Sequence, residues 1–340
     1  MVCWTMIRFL AATCLLGLVA GCVPVREPLH LFALGDVLLD RTPGERLRLV
    51  GPAEFFGPLR SLTRAQDIVF ANLESPAALH PVLRRDKPAD LTFCADPARL
   101  ADLREGGITV VSLANNHMDD AGGPGILETV AHLDEVGIAH AGAGENDQAA
   151  HAPAVWEVAG YRVALLSYNH VFTGVEPATP AHPGVAEADF DSMRRDIRDL
   201  GRGAKPDFIV VSVHWGNEFD TLPTSFQYEF GRACIREGAT LVLGHHTHVV
   251  QGIERYGRGL IAYSLGNAVF SLPGEETGTS VALLVELEDN GVNQASVVPL
   301  ELDRFLGAPR AAEGGQAKRV LERLRSRSPG LKIDSQGRLK

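Results

Sequence analysis

The stretch Gly244-His245-His246-Thr247-His248-Val249-Val250-Gln251 decides how this chain is read. The apolar run Ala239-Thr240-Leu241-Val242-Leu243 precedes it and reads as a short buried strand, so the histidines fall in the loop just past a strand end. Neutral imidazole is the commonest metal ligand, and two histidines at i and i+2 in a turn converge on one centre or bridge two. His246 and His248 have that spacing and read as ligands. His245 reads as a residue that orients a neighbour by hydrogen bonding. A polar loop with incidental histidines is the competing reading, and it weakens as the other strand ends are read.

The same pattern recurs along the chain: an apolar run of strand length ends in a polar cluster. Leu29 to Leu34 leads to Gly35-Asp36, and Ile68 to Ala71 to Asn72-Leu73-Glu74. Thr109 to Ala114 leads to Asn115-Asn116-His117-Met118-Asp119-Asp120, and Val163 to Leu166 to Ser167-Tyr168-Asn169-His170. Phe208 to Val213 leads to His214-Trp215-Gly216-Asn217-Glu218, and Leu260 to Tyr263 to Ser264-Leu265-Gly266-Asn267. Helical patterns lie between several of these runs, at 96–105, 125–136, 189–200 and 225–237; glycines follow the first, second and fourth, as a C-cap would. Short strands alternating with such helices predict an α/β protein, and sheets of that class place their sites at strand C-termini. The segments 280–288 and 294–302 predict an antiparallel hairpin across Asp289-Asn290-Gly291.

The 340 residues, 45% hydrophobic and 22% charged, suffice for a full core. A net charge of −10 argues against non-specific nucleic-acid binding, which needs a basic face. Residues 1–22 read as a targeting segment. Phe9 to Ala20 is apolar but short for a bilayer span, and Leu18-Val19-Ala20-Gly21-Cys22 resembles a bacterial lipobox with Cys22 as the lipidated residue. The expected location is extracytoplasmic and lipid-anchored, with Val23 slightly favouring an outer membrane where the cell has one. Cys94 and Cys234 remain in the folded part, either paired or as free thiols. The main domain is expected over 29–305. Residues 306–340 read as a polar, basic, solvated tail with one weak helix near 316–327.

The strand ends together offer Asp36, Glu74, Asn116, His117, His214, His246 and His248, a mixed set of carboxylate, amide and imidazole. Such a set suits one or two divalent ions of the manganese, iron or zinc type, with Glu74 or Asp36 as the bridging carboxylate. His117 and Asp120 are the candidate catalytic residues, His117 as the group that protonates the leaving group rather than a ligand. Bland alternatives stand beside these roles. Asn115 and Asn116 suit a turn, Asp119 and Asp120 suit a helix start, and His214-Trp215 suits a packed aromatic corner. All of them holding at every strand end is the less economical reading. Basic residues that would grip phosphate are scarce; Arg41 and Arg255 are nearest by position.

In this order, Gly35-Asp36, Asn72-Leu73-Glu74, Asn115-Asn116-His117, His214-Trp215-Gly216-Asn217-Glu218, Gly244-His245-His246-Thr247-His248 and Tyr263-Ser264-Leu265-Gly266-Asn267 resemble the CapA family of poly-γ-glutamate capsule biosynthesis proteins. That family is related to the calcineurin-like metallophosphoesterases. The resemblance implies a four-layer α/β/β/α sandwich over roughly 29–270 and a membrane-tethered protein. It matches Asp36, Glu74, Asn116, His214, His246 and His248 to metal ligands and His117 to a catalytic histidine. Asn72, His245, Glu218, Gln251 and Asn267 would bind substrate or support the ligands. One departure stands out: Leu38 occupies the place where phosphoesterases usually carry a histidine, a gap that His245 or Glu218 could fill. The function implied is synthesis, export or anchoring of poly-γ-glutamate or a related anionic capsular polymer by a metal-dependent hydrolase-type site, with other membrane components of capsule synthesis as partners. A periplasmic metallophosphoesterase and a non-catalytic polymer-binding protein with a relic site are the alternatives.

Overall fold

The computed structural model describes residues 26–305 and 307–340; the lipobox cysteine, Cys22, lies outside them. The chain begins with β1 (Leu29–Val37), three short helices, α1 (Arg41–Val50), α2 (Pro52–Phe55) and α3 (Gly57–Thr63), and β2 (Ile68–Leu73). Then come α4 (Ala98–Glu105), β3 (Val110–Ser112), α5 (Gly122–Val136), β4 (Ala139–Ala141), β5 (Ala143–Gly144) and α6 (Asp147–Ala150). The middle of the chain supplies β6 (Ala154–Val158), β7 (Tyr161–Asn169), β8 (Gly184–Val185), α7 (Phe190–Arg202), β9 (Phe208–His214) and α8 (Ser225–Glu237). It continues through β10 (Leu241–His245), β11 (Ile253–Tyr256), β12 (Gly259–Ala262) and β13 (Asn267–Val269). The hairpin β14 (Thr279–Glu288) and β15 (Gly291–Leu302), then β16 (Pro309–Ala311) and α9 (Gly314–Arg327), complete it.

Two sheets form the centre. One runs β16-β15-β14-β1-β2-β3-β4 with β13 also on β1, and the other runs β11-β12-β10-β9-β7-β6. Parallel pairing joins β1 to β2, β2 to β3 and β3 to β4 in the first, and β7 to β9, β9 to β10 and β10 to β12 in the second. Parallel strands are covered on both faces, which is why their sequences are continuous apolar runs. Alternation still sorts the side chains. In β1, Phe32 and Leu34 face a core shared with α1 to α5, while Leu31 and Ala33 face the space between the sheets. In β9, Phe208 and Val210 face that same inter-sheet core, and Ile209, Val211 and Val213 pack against α7 and α8. The layers are therefore helix, sheet, sheet, helix, as the resemblance implies.

The helices form for local reasons as well. Asp189 caps α7 by accepting from the backbone N–H groups of Asp191 and Ser192, and Met193, Ile197 and Leu200 form its buried stripe. Thr224 and Gln227 make a reciprocal capping box at the start of α8. Gly137 ends α5 in the left-handed conformation.

The end of the chain departs from the expectation of a solvated tail over 306–340. β16 pairs with β15, and α9 inserts Val320, Leu321 and Leu324 into the inter-sheet core, joined there by Ile333 and Leu339. Fully burying a leucine such as Leu324 contributes about 1.5–3 kcal/mol, enough to hold a short segment in place. The apolar stripe of α9 is narrow and its other faces are basic, so its sequence reads as polar until the open margin of the inter-sheet core is there to receive it. Cys94 and Cys234 are free thiols, Cys94 in the loop before α4 and Cys234 buried on α8. Among the described residues no helix is long and apolar enough to cross a membrane.

Candidate metal centre

The parallel strands of both sheets end at one pole, and the polar clusters read from the sequence meet there. Asp36 is the penultimate residue of β1, Glu74 follows β2, His214 ends β9 and His245 ends β10. β1 closes tightly on the segment before β13: the Asp36 amide donates to the Gly266 carbonyl at 3.0 Å, and a Cβ on Gly35 would lie 1.8 Å from that oxygen. Glycine is therefore required beside Asp36. Beyond β10 the backbone turns through positive φ at His246 (89°) and His248 (58°). Non-glycine residues rarely adopt that region, and such strain gathers at functional sites. Here it directs two imidazoles into the pole.

Two sets of ligand atoms lie within 4.8 Å of one another: Glu74 with His214 and His246, and Asp36 with Glu74 and His248. Glu74 belongs to both, which makes it, rather than Asp36, the residue placed to bridge. All five side chains are buried. Neither carboxylate oxygen of Glu74 has a hydrogen-bond partner, and neither does Nδ1 of His246. Buried polar atoms are normally paired, so a carboxylate orphaned among imidazoles is the signature expected of a cation site. The donor set fits one or two divalent ions, as the sequence implies.

The electrostatics agree. Burial pushes the Glu74 carboxyl well above its usual range, and the charges of Asp36 and Glu218 add to it while Lys87 opposes. For Asp36 burial also pushes upward, but the hydrogen bond and charge of His245, the charge of His248 and the amide of Asn72 outweigh it and hold the carboxyl low. Burial holds His214 well below the usual imidazole value and brings His246 down to about 3, each helped by neighbouring histidines. These rings are neutral at pH 7, the form that donates a lone pair.

A hydrogen-bonded frame surrounds the ligands. Asn72 donates through Nδ2 to Asp36 Oδ1 at 2.9 Å, and its Oδ1 accepts from Asn115 Nδ2 at 3.3 Å. Asn116 Oδ1 sits 2.8 Å from His214 Nε2, on the pocket side. Asn267 fixes His248: its Oδ1 lies 2.9 Å from Nδ1, leaving Nε2 toward Glu74 at 3.8 Å. His117 Nδ1 is 2.8 Å from Asp120 Oδ2, and its ring packs on Phe93. Burial lowers the His117 pKa while Asp120 pulls it back up.

Other expected roles change. Glu218 is exposed, so it fills no ligand gap. Gln251 spends its side chain on protein: Nε2 donates to the Asp220 and Leu222 carbonyls and Oε1 accepts from Gln227. It holds the loop that carries Glu218. His245 Nδ1 lies 3.3 Å from Asp36 Oδ1, and the ring stacks obliquely near Phe70 behind the ligand sets. It stands beside Asp36 and belongs to neither set. Leu38 turns away into an apolar cluster with Phe93, Phe270 and Leu302, so the missing histidine is replaced by packing. Trp215 is the packed aromatic, donating Nε1–H to the Tyr263 carbonyl, while His214 faces the pocket.

One residue escaped sequence reasoning. Lys87, from the long loop after β2, reaches in with Nζ 2.5 Å from Asp120 Oδ1 and 2.8 Å from the Asn116 carbonyl. Its stem lies against Gly174, where a Cβ would sit 2.3 Å from Lys87 Cε. No strand end or motif marks it. Arg41 instead pins the Ala89 and Thr92 carbonyls, and Arg255 is exposed on β11.

Comparison with known proteins gives this geometry a family. The model of the bacterial capsule synthesis protein PGA_cap matches residues 30–272. The chain is 32% identical over 293 residues to the capsule biosynthesis protein CapA of Bacillus anthracis, covering 84% of this chain and 69% of that one. It is 29% identical over 293 residues to the PGA biosynthesis protein CapA of Bacillus subtilis strain 168, covering 86% and 76%. Among solved structures, a hypothetical protein from Thermus thermophilus shares the fold with a TM-score of 0.53 at 19% identity, covering 80% of this chain and 99% of that one. The motifs quoted from the sequence fall within the matched residues, and the chain belongs to the bacterial capsule synthesis protein family PGA_cap, with CapA proteins as its relatives.

Proposed function

We propose that this protein acts in the synthesis, export or anchoring of poly-γ-glutamate or a related anionic capsular polymer, through a metal-dependent hydrolase-type site at the pole where both sheets end. The observation that carries the reading is Glu74, a buried carboxylate with no hydrogen-bond partner, shared by two sets of candidate ligands. A divalent ion held there would polarise a carbonyl or phosphoryl oxygen and acidify a water. The chain's own part is to hold and move a proton. Asp120 fixes His117 at Nδ1, so Nε2 is the end free to exchange a proton with a leaving group, and Lys87 holds the other Asp120 oxygen. Asn267 and Asn72 set the orientation of His248 and Asp36.

The protein works outside the cytoplasm, tethered through Cys22. The position of Arg26 supports this reading. It bonds the Gly160 carbonyl and Asp207 and pairs with Asp289, at the end of the sheets opposite the ligands. β1 has 9 residues and spans roughly 30 Å, so a tether before Arg26 leaves the ligand pole facing away from the bilayer. Cys22→Ser should move the protein from the membrane fraction to the soluble one; a wild type that is already soluble would count against the tether.

Elemental analysis of the soluble chain beginning at Val23, purified without chelator, tests the centre. Near-stoichiometric manganese, iron or zinc is expected in the wild type and none in the His246→Ala/His248→Ala double variant. A double variant that keeps stoichiometric metal would falsify the ligand assignment.

A further inference from the structure

A groove of about 1030 Å³ opens beside the candidate metal centre, lined among others by Phe270, by the basic Arg304 and Arg319 and by the acidic Glu275, Glu301 and Asp303. Phe270 is the wall it shares with the centre, its ring centroid 4.6 Å from that of His248. The loop over 270–279 forms one side. That loop is also tied to the ligands: the Thr277 carbonyl accepts from Asn267 Nδ2 at 3.1 Å, and Asn267 Oδ1 orients His248.

On the other side α9 presents Arg319, Arg323 and Arg327, four residues apart and so on one helix face. Two glutamates of the loop occupy them. Glu275 lies 2.6 Å from Arg323 and 3.5 Å from Arg319; Glu276 lies 3.2 Å from Arg323 and 3.1 Å from Arg327. The pairs are graded by exposure. Arg327 is 11% exposed, whereas Arg319 and Glu275, at the groove, are 54% and 58% exposed. An exposed pair is weak and exchanges readily, while guanidinium is the side chain best matched to carboxylate.

We propose that this groove binds a carboxylate-bearing polymer through Arg304 and Arg319, and that Glu275 holds Arg319 as an internal surrogate until the polymer displaces it. The inference rests on the anionic-polymer reading above and adds a binding site to it. The side chain of Glu275 ends in the same carboxylate that a polyglutamate repeats along its length. A chain with many carboxylates gains by multivalency what each contact lacks in strength. Seated in the groove, it would pass Phe270 and reach the pole where His248 stands.

Fluorescence anisotropy of a labelled poly-γ-glutamate oligomer at low ionic strength tests this on the soluble chain. Glu275→Gln removes the surrogate and should tighten binding about three- to tenfold. Arg304→Gln/Arg319→Gln should weaken it at least about tenfold. Binding should be the same with metal and in chelator, which separates the groove from the metal-centre reading. Binding lost only in chelator would put the polymer at the metal centre and overturn the groove while leaving the proposed function intact. Unchanged binding in both the Glu275 and the arginine variants overturns the proposal, and so does failure of the wild type to bind. Polyphosphate displacing the oligomer better than unlabelled polyglutamate would also overturn it, in favour of a phosphate site.

Discussion

The two halves of the candidate metal centre are chemically unlike. The first sheet contributes the candidate oxygen ligands Asp36 and Glu74, framed by the amides of Asn72 and Asn115. The second contributes His214, His246 and His248, candidate nitrogen ligands with His245 behind them. Burial acts on the halves in opposite senses. It favours the protonated form of Glu74 and the neutral form of His214 and His246. Neither half is a metal site alone. Brought together, they give a pocket in which a cation would satisfy both the charge of the carboxylates and the lone pairs of the imidazoles.

Removing the charge from the first half is the strongest way to break this arrangement. Glu74→Gln should lower metal affinity at least about 100-fold, since the shared ligand of both sets is lost. The same change should leave the metal-free protein as stable as the wild type or stabilise it by about 1 kcal/mol, because a buried carboxylate without partners is a burden when no cation is bound. Metal titration and urea unfolding in chelator measure the two effects. A Glu74→Gln variant that lost stability in chelator would show that the carboxylate has a structural partner.

The frame is expected to matter next. Asn72→Ala leaves Asp36 without its amide donor and Asn115 with only the Leu73 carbonyl as acceptor, at a cost of about 1–3 kcal/mol in urea unfolding. The effect should persist in chelator, since the frame works without metal. A loss under about 0.5 kcal/mol would mean that the amide network contributes little.

The smallest effect is a titration. His246 has its pKa at about 3 in the folded chain against an ordinary 6.5. Between those values the unfolded chain binds a proton that the folded chain refuses, so stability falls as pH drops through that window. For His246 alone this amounts to about 2 kcal/mol of lost stability at pH 5 in metal-free protein. Glu74 runs the other way: its raised pKa makes the folded chain bind the extra proton above the usual carboxyl value, so its contribution falls as pH rises. Glu74→Gln should therefore steepen the acid loss, and His246→Ala should flatten it. Urea unfolding in chelator at pH 7 and pH 5 reads both slopes.

What the sequence by itself determined is local. Apolar runs marked the strands, Gly106, Gly137 and Gly238 marked helix ends, and polar residues after each run marked the pole where candidate ligands gather. Periodicity and capping need only neighbours in the chain, so they can be read without the fold. Which residues converge is a different matter. Glu218 follows His214 by four positions yet lies in solvent, and Lys87 arrives from a loop with no motif. Leu38 finds an apolar cluster where the related phosphoesterases carry a histidine, and Gln251 turns to the loop at Asp220. α9 reads as a basic tail until the inter-sheet core offers its narrow stripe a place to bury. Each of these depends on which surface comes to face the side chain across the sandwich, and burial, hydrogen-bond partners and charge neighbours exist only once the two sheets have met.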